Sequence, residues 1–271
     1  MTLIEIIGFL FAAIIGISLG LIGGGGSILT VPVLVYLLGI NPVTATAYSL
    51  FIVGFSSLIG GLSYAKKGLV NYKTGIVFTI PAFISVYLTR LLLVPALPEI
   101  WFNIGGLAIT KSVGIMVLFA FLMIAGSYSM IKNKKKLKKS AKDADTVQKF
   151  NYTLIIIEGI VVGALTGLVG AGGGFLIIPA LVILAKLPMK EAVGTSLLII
   201  AAKSLIGFIG DIQSGGDIDW TFLSIFTLIA GVGIFIGTYF SNKIDGQKLK
   251  KGFGWFVLIM GSAMIYKELL M

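Results

Sequence analysis

Residues 20–35 read GLIGGGGSILTVPVLV, and 147 positions further on residues 167–182 read GLVGAGGGFLIIPALV. Aligned without a gap, nine of the sixteen positions are identical: Gly20/Gly167, Leu21/Leu168, Gly23/Gly170, Gly25/Gly172, Gly26/Gly173, Leu29/Leu176, Pro32/Pro179, Leu34/Leu181 and Val35/Val182. The match continues more weakly through Ala45/Ala192, Ser49/Ser196, Leu50/Leu197 and the runs Ser57–Gly60 and Ser204–Gly207. Identity at one fixed offset points to an internal duplication. Each copy is a greasy stretch interrupted by glycine at the same place. Paired interruptions of this kind are the best pointer a sequence offers to a substrate site between two halves of a membrane carrier.

Of the 271 residues, 57% are hydrophobic and 12% charged, with mean hydropathy +1.06. A soluble domain has about 25% charged residues. One helical crossing takes about 20 apolar residues, and the chain holds many such stretches, which predicts an all-α polytopic membrane protein. No length remains for a soluble catalytic domain. The first twenty residues lack the basic flank of a signal peptide and read as a retained helix. Cysteine and histidine are both absent. That excludes disulfides, thiol chemistry, the usual zinc and copper sites and imidazole proton relays. No cofactor and no metal are expected.

Each half reads as a glycine-broken helical hairpin followed by three transmembrane helices. The first half gives 3–20 plus 27–39, then about 42–65, 73–95 and 107–131; the second gives 152–168 plus 175–187, then about 189–211, 220–242 and 249–270. Residues 1–131 form the first repeat, 132–150 a linker and 151–271 the second repeat. The linker carries eight lysines and two aspartates, which is +6 of the net +10. A basic loop stays in the cytoplasm, so this charge reflects topology rather than nucleic acid. A polybasic patch on anionic lipid is the alternative.

The same rule places Lys66, Lys67 and Lys73 inside, with Lys186, Lys190, Lys243, Lys248, Lys250 and Lys251. The uncharged loop Gly39–Asn41 and the acidic stretch Asp211, Asp217 and Asp219 fall outside. The second broken segment then starts and ends inside, so it must enter and return. Applied to both halves, this gives opposite orientations and favours an inverted repeat. A parallel repeat is the alternative, and Glu5 alone does not decide the N-terminus.

At Gly23, Gly25 and Gly26, and again at Gly170, Gly172, Gly173 and Gly174, the chain should leave the helix and restart at Ser27 and Phe175. Irregular backbone at membrane depth is tolerated only inside protein or along a watery cavity. A restarting helix directs free N–H groups and a positive dipole end at whatever lies ahead, which suits an anion. The alternative is that the glycines only allow close helix packing. The first run lacks the lysine and hydroxyl of a nucleotide-binding loop.

Lys203, about fourteen residues into its helix, and Glu158, several residues into its own, are intramembrane charges. Each costs at least about 2.5–3.5 kcal/mol, so each is a functional candidate. Lys203 suits charge neutralisation of an anionic substrate and Glu158 a coupling proton; a structural ion pair between the two is the alternative. Ser49, Ser196 and Thr195, with Thr46 nearby, offer hydroxyls to a bound oxyanion or serve as interhelical glue. Arg90 and Lys111 read as snorkelling side chains near the outer surface. Trp101, Trp220 and Trp255 fall near expected interfaces.

The motif GxxGGGGSxxxVPxL from Gly20 to Leu34, its second copy to Leu181, the Ala-xxx-Ser-Leu stretches at Ala45–Leu50 and Ala192–Leu197 and the basic central loop together resemble the sulfite exporter TauE/SafE family of permeases. The resemblance spans nearly the whole chain. It implies export of sulfite or organosulfonates across a prokaryotic plasma membrane. Thiosulfate carriers that relay substrate through thiols differ, since this chain has none. A monoanion leaving the cell runs down the membrane potential, worth about 2.3 kcal/mol per charge per 100 mV, so export can proceed without a coupling ion, while Glu158 leaves proton coupling open. An anion channel, which shares the same pore chemistry, and a carrier of another small organic anion are the competing readings. An intramembrane enzyme is disfavoured, because the chain has no His, no Cys and no paired intramembrane aspartates. The lipid bilayer and a small anion are the expected partners, nucleic acid is not, and the oligomeric state stays open, a homodimer included.

Overall fold

The computed structural model of the chain describes residues 3–104, 107–131, 152–183, 185–215, 217–241 and 246–270. Helix α1 (Leu3–Ile22) is followed by a short arm. The arm runs as a 3-10 helix over Gly24–Leu29, one α-turn, α2 (Thr30–Pro32), and a π-turn over Val33–Leu37. Helix α3 (Pro42–Lys66) and α4 (Tyr72–Leu88) come next, and α4 continues through a π-turn, Thr89–Leu93, into α5 (Val94–Ala96). Strands β1 (Ile100–Ile104) and β2 (Leu107–Thr110) precede α6 (Lys111–Ile131). The remaining elements are α7 (Tyr152–Val169), α8 (Gly174–Ile183), α9 (Met189–Gln213), α10 (Trp220–Phe240) and α11 (Gly246–Leu270).

Polar caps set the helix starts. The side chains of Asn41, Asn71 and Asp219 accept from the backbone N–H of Val43, Thr74 and Phe222 at 2.9, 3.0 and 2.9 Å. Each cap satisfies a donor that has no partner within the helix. Pro42 occupies the first turn of α3, where its missing N–H costs nothing.

Among the described residues six helices are long and apolar enough to cross a membrane: Leu3–Ile22, Pro42–Lys66, Tyr72–Ala96, Lys111–Tyr128, Met189–Gln213 and Trp220–Phe240. Their surfaces are inside-out by soluble standards. On α4 and its continuation, Tyr72, Ile76, Ile80, Ile84, Leu88 and Leu92 are all exposed, one every four residues. Leu228, Val232 and Phe235 make a similar exposed stripe on α10. Meanwhile Ser27, Ser49, Ser56, Ser57, Thr195, Ser196, Lys203 and Ser204 are wholly buried. Apolar stripes this long are a liability in water and the expected surface in lipid.

Helices α3 and α9 form the centre and pack along each other. Around them α1 packs on α10, α7 on α4, and α6 on α11. The α1–α10 contact is made by glycine. A Cβ on Gly16, Gly20, Gly233 or Gly237 would fall on the carbonyl of Ala230, Ile234, Ala13 or Ile17 respectively. On α7, Gly163 meets the Ala82 carbonyl and Gly167 meets Thr89. Small residues four apart let helix backbones approach this closely in lipid.

Several expectations are corrected. The helix expected from residue 107 starts at Lys111, because an antiparallel hairpin pairs Ile104 with Leu107 and Ile100 with Thr110. Hydropathy alone hid it, although Gly105-Gly106 between apolar residues is a turn signal. Arg90 does not snorkel: it is fully buried, and Lys111 is nearly so. Asp211 lies in the last turn of α9, near the helix end expected for it, but it is buried rather than open to solvent. The linker 132–150 and Lys243 lie outside the described residues, whereas Lys248, Lys250 and Lys251 fall within α11.

Candidate functional site

The chain leaves α1 at Gly23, whose φ of 75° lies in the left-handed region, and leaves α7 at Gly170, followed by Gly172 and Gly173 with φ of 69°, 64° and 73°. Side chains rarely adopt such angles, and glycine does so freely. In the first break Gly26 N–H donates to the Gly23 carbonyl at 3.3 Å, and the Ser27 hydroxyl donates to the Gly24 carbonyl at 2.6 Å. In the second, Gly173 N–H donates to the Ala171 carbonyl at 2.7 Å, and the Gly173 carbonyl accepts from Leu176 and Ile177, each at 3.0 Å.

The two breaks meet. Gly24 and Gly174 lie backbone to backbone, so a Cβ on either would strike the other's Cα. Gly172 faces Val53 and Ile200, near the middle of α3 and α9, and Gly23 faces Val193 while Gly170 faces Thr46. Gly172 therefore sits at the depth of the middle of the central helices, whereas Gly23 and Gly170 sit nearer the first turns of α9 and α3. The backbones close on each other with no ion-sized space between Gly24 and Gly174.

Lys203 adjoins the second break. Its ammonium is wholly buried and donates to the Thr166 hydroxyl at 2.6 Å. The same nitrogen lies 3.3 Å from the position a Cβ on Gly173 would take. Among the described residues no carboxylate forms an ion pair with it. The expected alternative, a Lys203–Glu158 pair, is thereby corrected: Glu158 is half-buried on α7 with Oε2 unpartnered. A buried cation met by an uncharged hydroxyl alone is costly, because its desolvation is offset well only by an opposite charge.

The remaining candidates divide. Ser49, Ser56 and Ser57 on α3 and Ser204 on α9 have buried hydroxyls without a hydrogen-bond partner, so the central helices carry a polar seam. Ser196 donates to its own helix, to the Val193 carbonyl at 2.8 Å. Thr195 accepts from Asn71 N–H at 2.9 Å and thus ties α9 to the loop before α4, two turns from Lys203. Gly25 and Gly26 lie in the 3-10 stretch of the first break.

Sequence reasoning missed one cluster. Arg90 Nη1 donates to the Thr46 hydroxyl at 3.1 Å and to Asp211 Oδ1 at 3.3 Å. A signal was present: Arg90 stands among four leucines in Leu88–Leu93, where an unpaired charge is costly. Its partner, 121 positions away, was not legible.

A bundle that turns apolar stripes outward and buries charge and hydroxyls at its centre is a multi-pass membrane protein. The family model for the sulfite exporter TauE/SafE matches residues 8–264. The chain belongs to this family of membrane transporters. A probable membrane transporter protein of Xylella fastidiosa (strain 9a5c) is 28% identical over 258 residues, covering 94% of this chain and 92% of that one. The probable membrane transporter protein YunE of Bacillus subtilis (strain 168) is also 28% identical, with 96% and 98% covered. The probable membrane transporter protein MJ0441 of Methanocaldococcus jannaschii is 36% identical over 115 residues, 39% of this chain. No solved structure matches the chain.

Proposed function

We propose that the chain is a secondary transporter that exports small anions, sulfite or organosulfonates foremost, across a prokaryotic plasma membrane by alternating access. The anion is held at the two glycine breaks and its charge is met by Lys203. One observation carries this reading: a wholly buried ammonium set against the Gly173 break, bonded only to the Thr166 hydroxyl. An anion there supplies the opposite charge that the described residues do not.

Two halves of inverted topology, joined by a cytoplasmic linker at 132–150, support the mechanism. The aligned glycine pairs Gly16/Gly163 and Gly20/Gly167 both make close helix contacts, α1 on α10 and α7 on α4. Exchanging the halves turns one contact into the other. The side-to-side bonds fit the opposed orientation as well. Tyr36 donates to Glu268 Oε1 at 2.7 Å and Tyr87 to Gln213 at 2.6 Å between ends assigned outside. The Asn71–Thr195 bond joins ends assigned inside. Contact between Gly24 and Gly174 then corresponds to a closed state, and rocking one half against the other parts them. In this account Glu158 is the site of proton coupling, its orphaned oxygen half-buried on α7.

The test is counterflow in proteoliposomes. Unlabelled sulfite trapped inside should accelerate uptake of labelled sulfite, because a carrier returns loaded faster than empty. Flux indifferent to trapped sulfite would favour a channel.

A further inference from the structure

Arg90 is fully buried, yet most of its hydrogen-bonding capacity is unused. Only Nη1 is bonded, to Thr46 and Asp211, while Nε and Nη2 have no partner among the described residues. Those two nitrogens share one edge of the planar guanidinium, and their parallel N–H bonds make the fork that grips two oxygens of one oxyanion. Asp211 does not fill it. The pair is a single contact at 3.3 Å, and Asp211 Oδ2 is buried and unpartnered too. Charge-assisted N–H···O bonds run at about 2.7–2.9 Å, and an Arg–carboxylate pair set for strength is bidentate. The backbone holding Arg90 is a π-turn, Thr89–Leu93, a local irregularity frequent at functional sites.

The position of this cluster gives it meaning. Thr46, which Arg90 bonds, lies against Gly170 at the start of the second break, and Lys203 lies against Gly173 at its end. The break thus has Lys203 against one end and, through Thr46, Arg90 one residue removed from the other. Asp211 is eight residues beyond Lys203 on α9, about 12 Å along the helix, toward the end assigned outside.

We propose that Arg90 is a second oxyanion subsite, in the outer half, where the translocated anion displaces Asp211 from the guanidinium. The site takes a small oxyanion with at least two oxygens on one centre: a sulfite, sulfonate or carboxylate. Asp211 neutralises Arg90 when no anion is bound and withdraws when one arrives, so the anion passes from Lys203 along the break to Arg90. This inference rests on the anion-transport reading above.

The test is sulfite binding to purified protein by titration calorimetry, with chloride at matched ionic strength as control. Asp211→Asn removes the competing carboxylate and should tighten sulfite binding about tenfold. The neutral double variant Arg90→Gln with Asp211→Asn leaves no uncompensated ion and should lose that gain. If Asp211→Asn alone is unstable, sulfite should raise its Tm well above the value in chloride. Equal affinity of Asp211→Asn and wild type, a gain retained in the double variant, or a Tm indifferent to sulfite would each overturn the subsite. Lys203→Met separates this inference from the reading beneath it. Loss of binding with Lys203→Met but no effect at Asp211 removes the subsite alone. Tight binding to Asp211→Asn that survives Lys203→Met keeps the subsite and removes Lys203 from the account.

Discussion

Gly24 and Gly174 touch through their backbones, two glycines from the two breaks with no side chain between them. That contact leaves no room for a side chain at either position. It also carries the first prediction. Gly24→Val or Gly174→Val should hold the breaks apart, at a cost of about 1–3 kcal/mol for overpacking. The measurement is thermal unfolding in detergent beside sulfite flux in liposomes. We expect a lowered Tm and flux reduced far more than the amount of inserted protein. Unchanged flux in both variants would mean that closure at this point has no part in transport.

Gly16 and Gly163 stand at equivalent positions in the two aligned halves, and each receives a backbone carbonyl, of Ala230 and Ala82. Leucine at either should separate its helix pair and destabilise the protein, by about 1–3 kcal/mol or more. Denaturation of both variants tests the duplication energetically. Comparable losses are expected, and a loss confined to one would argue against equivalent halves.

Much of this was legible beforehand. The fixed offset between Gly23 and Gly170 pointed to both breaks, and a lysine about fourteen residues into an apolar helix made Lys203 conspicuous. Two things were not legible. Arg90 and Asp211 are joined only through the packing of α4 on α9, a contact between helices that no local pattern encodes. The hairpin at Ile100–Thr110 was hidden because strand and helix are equally apolar there, and only its turn residues betray it.

The chain has no cysteine, so single cysteines report topology without background. Lys67 and Ser214 are both exposed, at loops the inverted repeat puts on opposite sides. Lys67→Cys should react with a membrane-impermeant maleimide only in inside-out vesicles, and Ser214→Cys only in right-side-out cells. Labelling of both from one side would dismiss the inversion.

Glu158 offers a test of coupling. If it carries the proton, Glu158→Gln should abolish the response of sulfite flux to an imposed pH gradient while leaving counterflow intact. Flux that follows the gradient equally in wild type and variant would assign coupling elsewhere.

Lys203→Met tests the central claim most directly. Methionine keeps the length and apolar stem of lysine but removes a buried charge that only the Thr166 hydroxyl meets. Stability and transport should therefore move in opposite directions. The variant should melt no lower than wild type, because an uncompensated charge has gone, while sulfite counterflow should fall about tenfold or more, as expected for loss of a charged partner. Wild-type counterflow in a stable Lys203→Met protein would contradict the account.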